Sequence, residues 1–260
     1  MPTSLIDKIA IVSGASRGLG YAIALGLAQR GMHVVLAARS ETPLRELATN
    51  IESLGRRAII LTIDLSLPFA ASSVVSAALS AFGQIDLLVN NAGATKRGDF
   101  LALTDEDWHA GYELKLHGAV RLSRAAWPHL VKTNGSIINI AGVGGRTGNA
   151  EFTLGGSVNA ALMLLTKALA DRGVTDGVRV NAINPGAIRT DRLALRIHKL
   201  METEQVDEAT AAKRLAKQER IARFGEPREV ADAVAFLASS EAAYINGAIL
   251  EIDGGQTRGL

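Results

Sequence analysis

The stretch IAIVSGASRGLG, residues 9–20, sets a short apolar run against a loop with glycine at positions 14, 18 and 20. A run apolar on both faces predicts a strand buried on both sides. In the loop, Gly14 allows a tight turn, Gly18 lets the main chain approach a pyrophosphate, and Gly20 lets the following helix pack closely on the sheet. Ser16, Arg17 and Leu19 complete the turn and the helix start. There, free N–H groups and the positive end of the helix dipole would face phosphate. Three glycines alone also describe an ordinary strand-to-helix turn, but a strand before them and a helical pattern after them favour a dinucleotide site.

Working outward, short β-branched runs alternate with longer amphipathic segments. Strands are expected at 9–12, 33–37, 58–62, 86–90, 136–141, 178–183 and 248–252, and helices at about 18–30, 41–54, 70–82, 104–132, 153–171, 190–220 and 227–238. Buried strands separated by helices imply a seven-stranded parallel sheet covered on both faces, a doubly wound (Rossmann) α/β fold. No linker or low-complexity tract divides the chain, so residues 1–260 read as a single domain.

Composition narrows the function. With 260 residues and 48% hydrophobic content, the chain can bury a full core. Lys plus Arg is 28, Asp plus Glu is 26, and the cations form no run, which speaks against a nucleic-acid partner. No apolar run is expected to reach the roughly 18 residues of a membrane span, and the start MPTSLIDKIA lacks the regions of a signal peptide. Cysteine is absent, so neither a disulfide framework nor a thiolate metal site is expected. A cytoplasmic protein with a small-molecule substrate, no metal and no membrane partner is the expectation.

The end of the second strand, VVLAARS (34–40), bears on the cofactor. An acidic residue there would bind the ribose hydroxyls of NAD, but the sequence offers Ala37, Ala38, Arg39 and Ser40. Arg39 and Arg17 together could clamp a 2′-phosphate by charge-assisted hydrogen bonds, which favours NADP(H).

With these residues in hand, the sequence resembles the short-chain dehydrogenase/reductase family over nearly its whole length. The glycine loop matches the family pattern with Ser13 in place of a threonine. NNAG (90–93) matches the motif after the fourth strand, and Asp64 in TIDLS matches the acidic residue near the adenine. NPGAIRT (184–190) matches the segment whose Ile188 main chain and Thr190 hydroxyl the family uses on the nicotinamide carboxamide. ARFGEP (222–227), VAFLAS (234–239) and INGAILEIDGG (245–255) resemble its last third. The resemblance implies cofactor contacts at Gly14, Ser16, Arg17, Gly18, Leu19, Gly20, Arg39, Ser40, Asp64, Leu65, Asn91, Ala92, Gly93, Ile188 and Thr190. It further implies a substrate lid at 189–223, and a homodimer or homotetramer formed through the fourth and fifth helices and the last strand.

The same register exposes an anomaly. The family usually carries Asn, Ser, Tyr and Lys, the tyrosine passing a proton to or from the substrate oxygen while the lysine lowers its pKa and the serine polarises the carbonyl. Anchored on AAL (160–162), the tyrosine position is Gly155 and the lysine position Asn159. The serine position falls on Gly142 and the asparagine position on Lys115. Lys115 would face the pocket as an acid, a base or a substrate anchor; otherwise it snorkels to water or pairs with Glu113 or Glu151. His109 and His117 read as helix-surface residues. Arg146 either binds an acidic substrate or is a solvated loop arginine, and the glycines at 142, 144, 145, 148, 155 and 156 either open space or permit tight packing.

Two classes of function follow. One is an enzyme using NADP(H), in hydride transfer with displaced acid/base groups or in a non-redox reaction where the nucleotide is structural. The other is a catalytically silent nucleotide-binding or scaffold protein. Intact nucleotide motifs favour the first, with ordinary ketone reduction weak or absent.

Overall fold

All seven strands pair in parallel in one sheet, and the order in which they lie creates the site. The computed structural model describes residues 5–258; residues 1–4 and 259–260, which the single-domain reading and the reading of the chain start include, lie outside the described residues. The strands are β1 (Ile9–Ser13), β2 (His33–Ala38), β3 (Ala58–Thr62), β4 (Leu87–Asn90), β5 (Ser136–Ile140), β6 (Arg179–Pro185) and β7 (Ile249–Ile252). Their order across the sheet is β3-β2-β1-β4-β5-β6-β7. Val12 of β1 pairs with Leu36 of β2 on one side and Val89 of β4 on the other. Strand order reverses between β1 and β4, so the loops leaving their carboxyl ends diverge and open a crevice.

The connecting helices are α1 (Gly18–Gln29), α2 (Glu41–Ser53), α3 (Ala70–Phe82), α4 (Asp105–Tyr112), α5 (Gly118–Thr133), α6 (Thr153–Asp176), α7 (Asp191–Glu204), α8 (Glu208–Gln218) and α9 (Pro227–Ala238). One core cluster packs Ile23, Leu27, Leu44, Leu47, Val230 and Val234 against one sheet face. Another packs Val74, Ala78, Leu122, Trp127 and Leu130 against the other. Burial on both faces explains why these strands read as continuous apolar runs.

Three expectations need correction. The single helix expected over 104–132 is two helices joined by a π-helical turn, Glu113–His117, in the middle of which Lys115 sits. The helix expected over 190–220 breaks at Gln205, whose φ of 52° ends α7, and restarts where the Asp207 carboxylate accepts from Thr210 N–H at 2.7 Å. Hydrophobic periodicity runs through both interruptions because the apolar faces continue across them. Thus α7 and α8 bury Leu193, Ile197, Ala211 and Leu215 with Ile221 and Phe224 in a cluster of their own. Finally, one segment does have the length and apolarity of a membrane span: Ala150–Asp176, within which an 18-residue window reaches a mean hydropathy of 1.3. It is largely α6, which buries Leu154, Val158, Leu162, Met163, Thr166 and Ala170 along the fold and ends at Gly177 in the left-handed region.

A tight main-chain approach lies at the first turn of α1. A Cβ on Gly20 would stand 2.1 Å from the Gly14 carbonyl oxygen and 2.5 Å from Asn91 Nδ2. Main-chain atoms cannot yield that space cheaply. Gly20→Ala is therefore expected to lower stability by about 1–3 kcal/mol, read as a lower urea midpoint. An unchanged midpoint would show that the loop relaxes without cost.

Candidate active site

The crevice between β1 and β4 is pinned by Ser13. Its hydroxyl donates to Val89 O at 3.1 Å and accepts from the N–H groups of Asn91 at 2.9 Å and Ala92 at 3.0 Å. Asn91 Nδ2 donates back to Ser13 O and Gly14 O at 3.0 and 3.1 Å. The hydroxyl and the amide join the glycine loop to NNAG, while Gly14 and Gly18 take positive φ of 67° and 56°. Ser16, Gly18 and Leu19 are half-buried in this turn, and Arg17, at the N-cap position of α1, is exposed. Gly93 packs on Lys115: a Cβ there would stand 2.8 Å from Lys115 Cδ.

At the second loop, Arg39 and Ser40 are exposed at the end of β2, with Ser40 at the N-cap position of α2. Asp64 accepts from the Ser66 N–H at 2.9 Å and from the Ser66 hydroxyl at 2.8 Å. The N–H bond first, then the hydroxyl and the charge of Arg39, hold its carboxyl below the usual range against the opposing pull of burial. Leu65 beside it is buried. Ile188 is buried and bridged to Gly225. Thr190 stands before α7, and a Cβ on Gly18 would come within 3.6 Å of its Cγ2, so the glycine loop and the start of α7 face each other. Arg17 reaches Asp191 at 3.8 Å, both side chains being exposed.

The four positions 115, 142, 155 and 159 come together. Lys115 Nζ donates to Ala141 O at 2.8 Å and to Asn159 Oδ1 at 2.5 Å. Gly142, with φ of 145°, donates its N–H to Asn184 Oδ1 at 3.1 Å. A Cβ on Gly142 would stand 3.0 Å from Asn159 Nδ2. Beside Gly155 the space is filled: a Cβ there would lie 2.1 Å from Phe152 Cζ. Lys115 is half-buried as a residue, but its ammonium is enclosed, and burial first, then the charge of Arg192, pushes its pKa down to about 7.

Several alternatives are settled by these contacts. Lys115 pairs with neither Glu113 nor Glu151; Glu113 instead binds His117 at 2.7 Å and Arg121 at 2.5 Å. Arg146 turns away to Glu251 on β7 at 3.1 Å, so the loop arginine is used in the fold. Among the described residues, no three His, Asp or Glu side chains are grouped as a metal site.

Known proteins resemble this chain in sequence and in fold. A family model described as Enoyl-(Acyl carrier protein) reductase matches residues 14–257. The 3-oxoacyl-(acyl-carrier-protein) reductase of Vibrio cholerae is 38% identical over 97% of this chain and 98% of its own length. Its counterpart in Escherichia coli is 37% identical over 95% of this chain and 96% of its own. The structure of L-sorbose reductase from Gluconobacter frateurii, complexed with NADPH and L-sorbose, superposes with a TM-score of 0.95 at 34% identity, over the full length of both chains. The chain belongs to the short-chain dehydrogenase/reductase family.

Within this family frame, sequence reasoning missed several residues that shape the site. Asn184 holds the Gly142 main chain; Phe152 was not missed, being the residue that a one-turn slide of this helix, α6, brings near the tyrosine position, and it fills the space at Gly155. Arg192 Nη2 donates to Gly93 O, beside the Lys115 stem. The Arg97 guanidinium lies 4.5 Å from the Phe152 ring centroid. A lone arginine in a loop or at the start of α7 carries no periodic signal, whereas Asn184 lies inside the NPGAIRT match.

The lowered Lys115 pKa has a stability consequence of definite sign. The unfolded lysine keeps its proton up to about 10.4, whereas the folded one releases it near 7, so between these values the unfolded chain binds more protons. Folding stability contributed by this group thus rises with pH across that window, and the cost of burying the cation is full below pH 7. Lys115→Met should raise the melting temperature at pH 6–7, with the gain shrinking toward pH 10. A gain that stays constant with pH would contradict a desolvated ammonium.

Proposed function

We propose that the protein is an NADP(H)-dependent oxidoreductase whose carbonyl or alcohol chemistry uses Lys115 in place of the usual tyrosine. The observation that carries the nucleotide reading is the Ser13–Asn91 latch, which holds the glycine loop open between Arg17 and Arg39 with no acidic residue at the end of β2. The filled space at Gly20 and the close pair Gly18–Thr190 fit a main-chain cradle for a pyrophosphate. Arg17 and Arg39 are exposed and suit a 2′-phosphate, and the L-sorbose reductase structure, similar over its full length, holds NADPH. When bound, the nicotinamide supplies or accepts a hydride. The chain's own groups then bind, orient and move protons: Ile188 and Thr190 on the carboxamide side, and the Lys115 ammonium as the donor to a substrate oxygen.

With glycine at 142 and 155 and asparagine at 159, the reading describes a divergent site in which ordinary ketone and aldehyde reduction is weak or absent. The Phe152 ring beside Gly155 favours one alternative, a non-redox reaction with NADP(H) as a structural group, because a phenyl ring has no proton to give. In either case α7 and α8 form the lid over the substrate. Homodimer or homotetramer formation is part of the same proposal, supported by the exposed apolar Leu164 and Val174 on α6 and by Tyr244 before β7.

Titration should show NADPH binding at least tenfold more tightly than NADH, a difference of about 1.4 kcal/mol, within reach of one charge-assisted hydrogen bond. Arg39→Asp should reverse the preference, and equal affinities would reject the assignment. For the catalytic part, once a substrate turns over, Lys115→Met is expected to lower kcat at least tenfold with NADPH affinity unchanged. Full activity of that variant would remove Lys115 from the reaction, and rapid reduction of simple ketones by the wild type would restore a standard mechanism.

A further inference from the structure

Three cations stand on elements that border the site, and among the described residues none has a carboxylate oxygen within 4.0 Å. Lys115 is bonded only to neutral acceptors, Ala141 O and Asn159 Oδ1. Arg192, at the start of α7, donates to the neutral Gly93 O, on the glycine that the Lys115 stem covers. Arg97, four residues past Gly93, lies with its guanidinium against Phe152, the ring that occupies the space beside Gly155. Such stacking uses a guanidinium's face and leaves its N–H edge free. Arg192 and Arg196 lie one turn apart on α7. The charge of Arg196 is felt at Arg97, and that of Arg192 at Lys115.

Nearby carboxylates are committed elsewhere. Glu219 binds Arg196 and Gln256, and Asp191 faces Arg17 at 3.8 Å. Glu151 acts on Arg97 only beyond contact distance. Elsewhere on the chain, arginines commonly close onto acidic side chains, as Arg45 does with Glu41, Arg214 with Glu204 and Arg223 with Glu229. Gathering uncompensated like charges in a partly desolvated place costs free energy unless an anion completes it.

We propose that the substrate carries a carboxylate, held between Arg97 and Arg192, with its reacting oxygen toward Lys115. The proposal deepens the oxidoreductase reading and rests on it only for the reaction, not for the anion. A guanidinium on the lid and another on the loop after β4 would meet across the bound anion, so a carboxylate would also draw α7 toward the site. Specificity follows, because an ester or amide of the same skeleton leaves both guanidinium groups without their partner.

The test uses pyruvate, acetoacetate, levulinate and 5-oxohexanoate, each against its methyl ester, titrated into the full chain with and without NADPH. The series moves the carboxylate one bond at a time away from the carbonyl. At least one acid should bind tenfold or more tightly than its ester. Arg97→Gln and Arg192→Gln should each cut that preference below threefold while keeping NADPH affinity within twofold, which also shows that they fold. An absence of preference for any acid, or a preference surviving in both variants, overturns the proposal. So does a loss of NADPH affinity in Arg192→Gln, which would assign that guanidinium to the pyrophosphate instead. Failure of the wild type to bind NADPH would sink the oxidoreductase reading alone, since the acid preference measured without nucleotide still decides this one.

Discussion

Everything at the site depends on one hydroxyl. Ser13 closes β1 with a side chain that donates to β4 and accepts two N–H groups from the NNAG turn, and Asn91 returns two bonds to the glycine loop. These buried polar groups satisfy one another across the place where strand order reverses, and the bonds would each be costly to leave unmade there. The consequence is geometric. The loop after β1 cannot collapse onto the loop after β4, so the crevice is preformed, and Gly20 then lets α1 sit close enough to aim its N-terminus into it.

Beneath this crevice, a second polar chain positions the catalytic face. Asn90 donates to Ser123 Oγ and to Asn139 Oδ1, and Asn139 donates to Thr166 Oγ1, which bonds Leu162 O. The chain ties β4, α5, β5 and α6 at fixed separation. Lys115 precedes α5, and Asn159 lies two turns before Thr166 on α6, so the 2.5 Å contact between them inherits its geometry from this buried network. On the other side, Asn184 reaches Gly142 N and Glu251, which in turn holds Arg146, linking β6 and β7 to the loop after β5.

How much of this was legible in the sequence depended on the range of the interaction. The seven strands, their order of appearance and the glycine loop follow from local runs and turn chemistry, because burial on both faces writes itself into every residue of a strand. The π turn at Glu113–His117 and the break at Gln205 were invisible, since apolar spacing continues through both. The changed positions 115, 142, 155 and 159 could be named from the register with AAL at 160–162. What fills them could not. That Arg97 stacks on Phe152 and that Arg192 reaches Gly93 beside the Lys115 stem are contacts between residues 55 and 99 positions apart, with no repeating pattern to announce them.

The hydrogen-bond count at Lys115 gives the proposed chemistry its logic. An ammonium has three N–H donors, and two are taken by Ala141 O and Asn159 Oδ1. The third direction is all that remains for a substrate. When the group is charged, that direction carries a proton to give. When it is neutral, the two fixed acceptors keep the two remaining hydrogens, and the same direction carries the lone pair. With a pKa near 7, both states are populated at neutral pH, so in the proposed chemistry the one free direction would serve as donor in reduction and as acceptor in oxidation. A tyrosine in the usual arrangement needs a separate cation to reach such a pKa. Here burial and Arg192 act on the lysine itself, and an anion bound between Arg97 and Arg192 would pull its pKa back upward by offsetting the neighbouring charge. The protonation state of Lys115 would then report whether substrate is in place, coupling the lid arginine to the proton that the reaction moves.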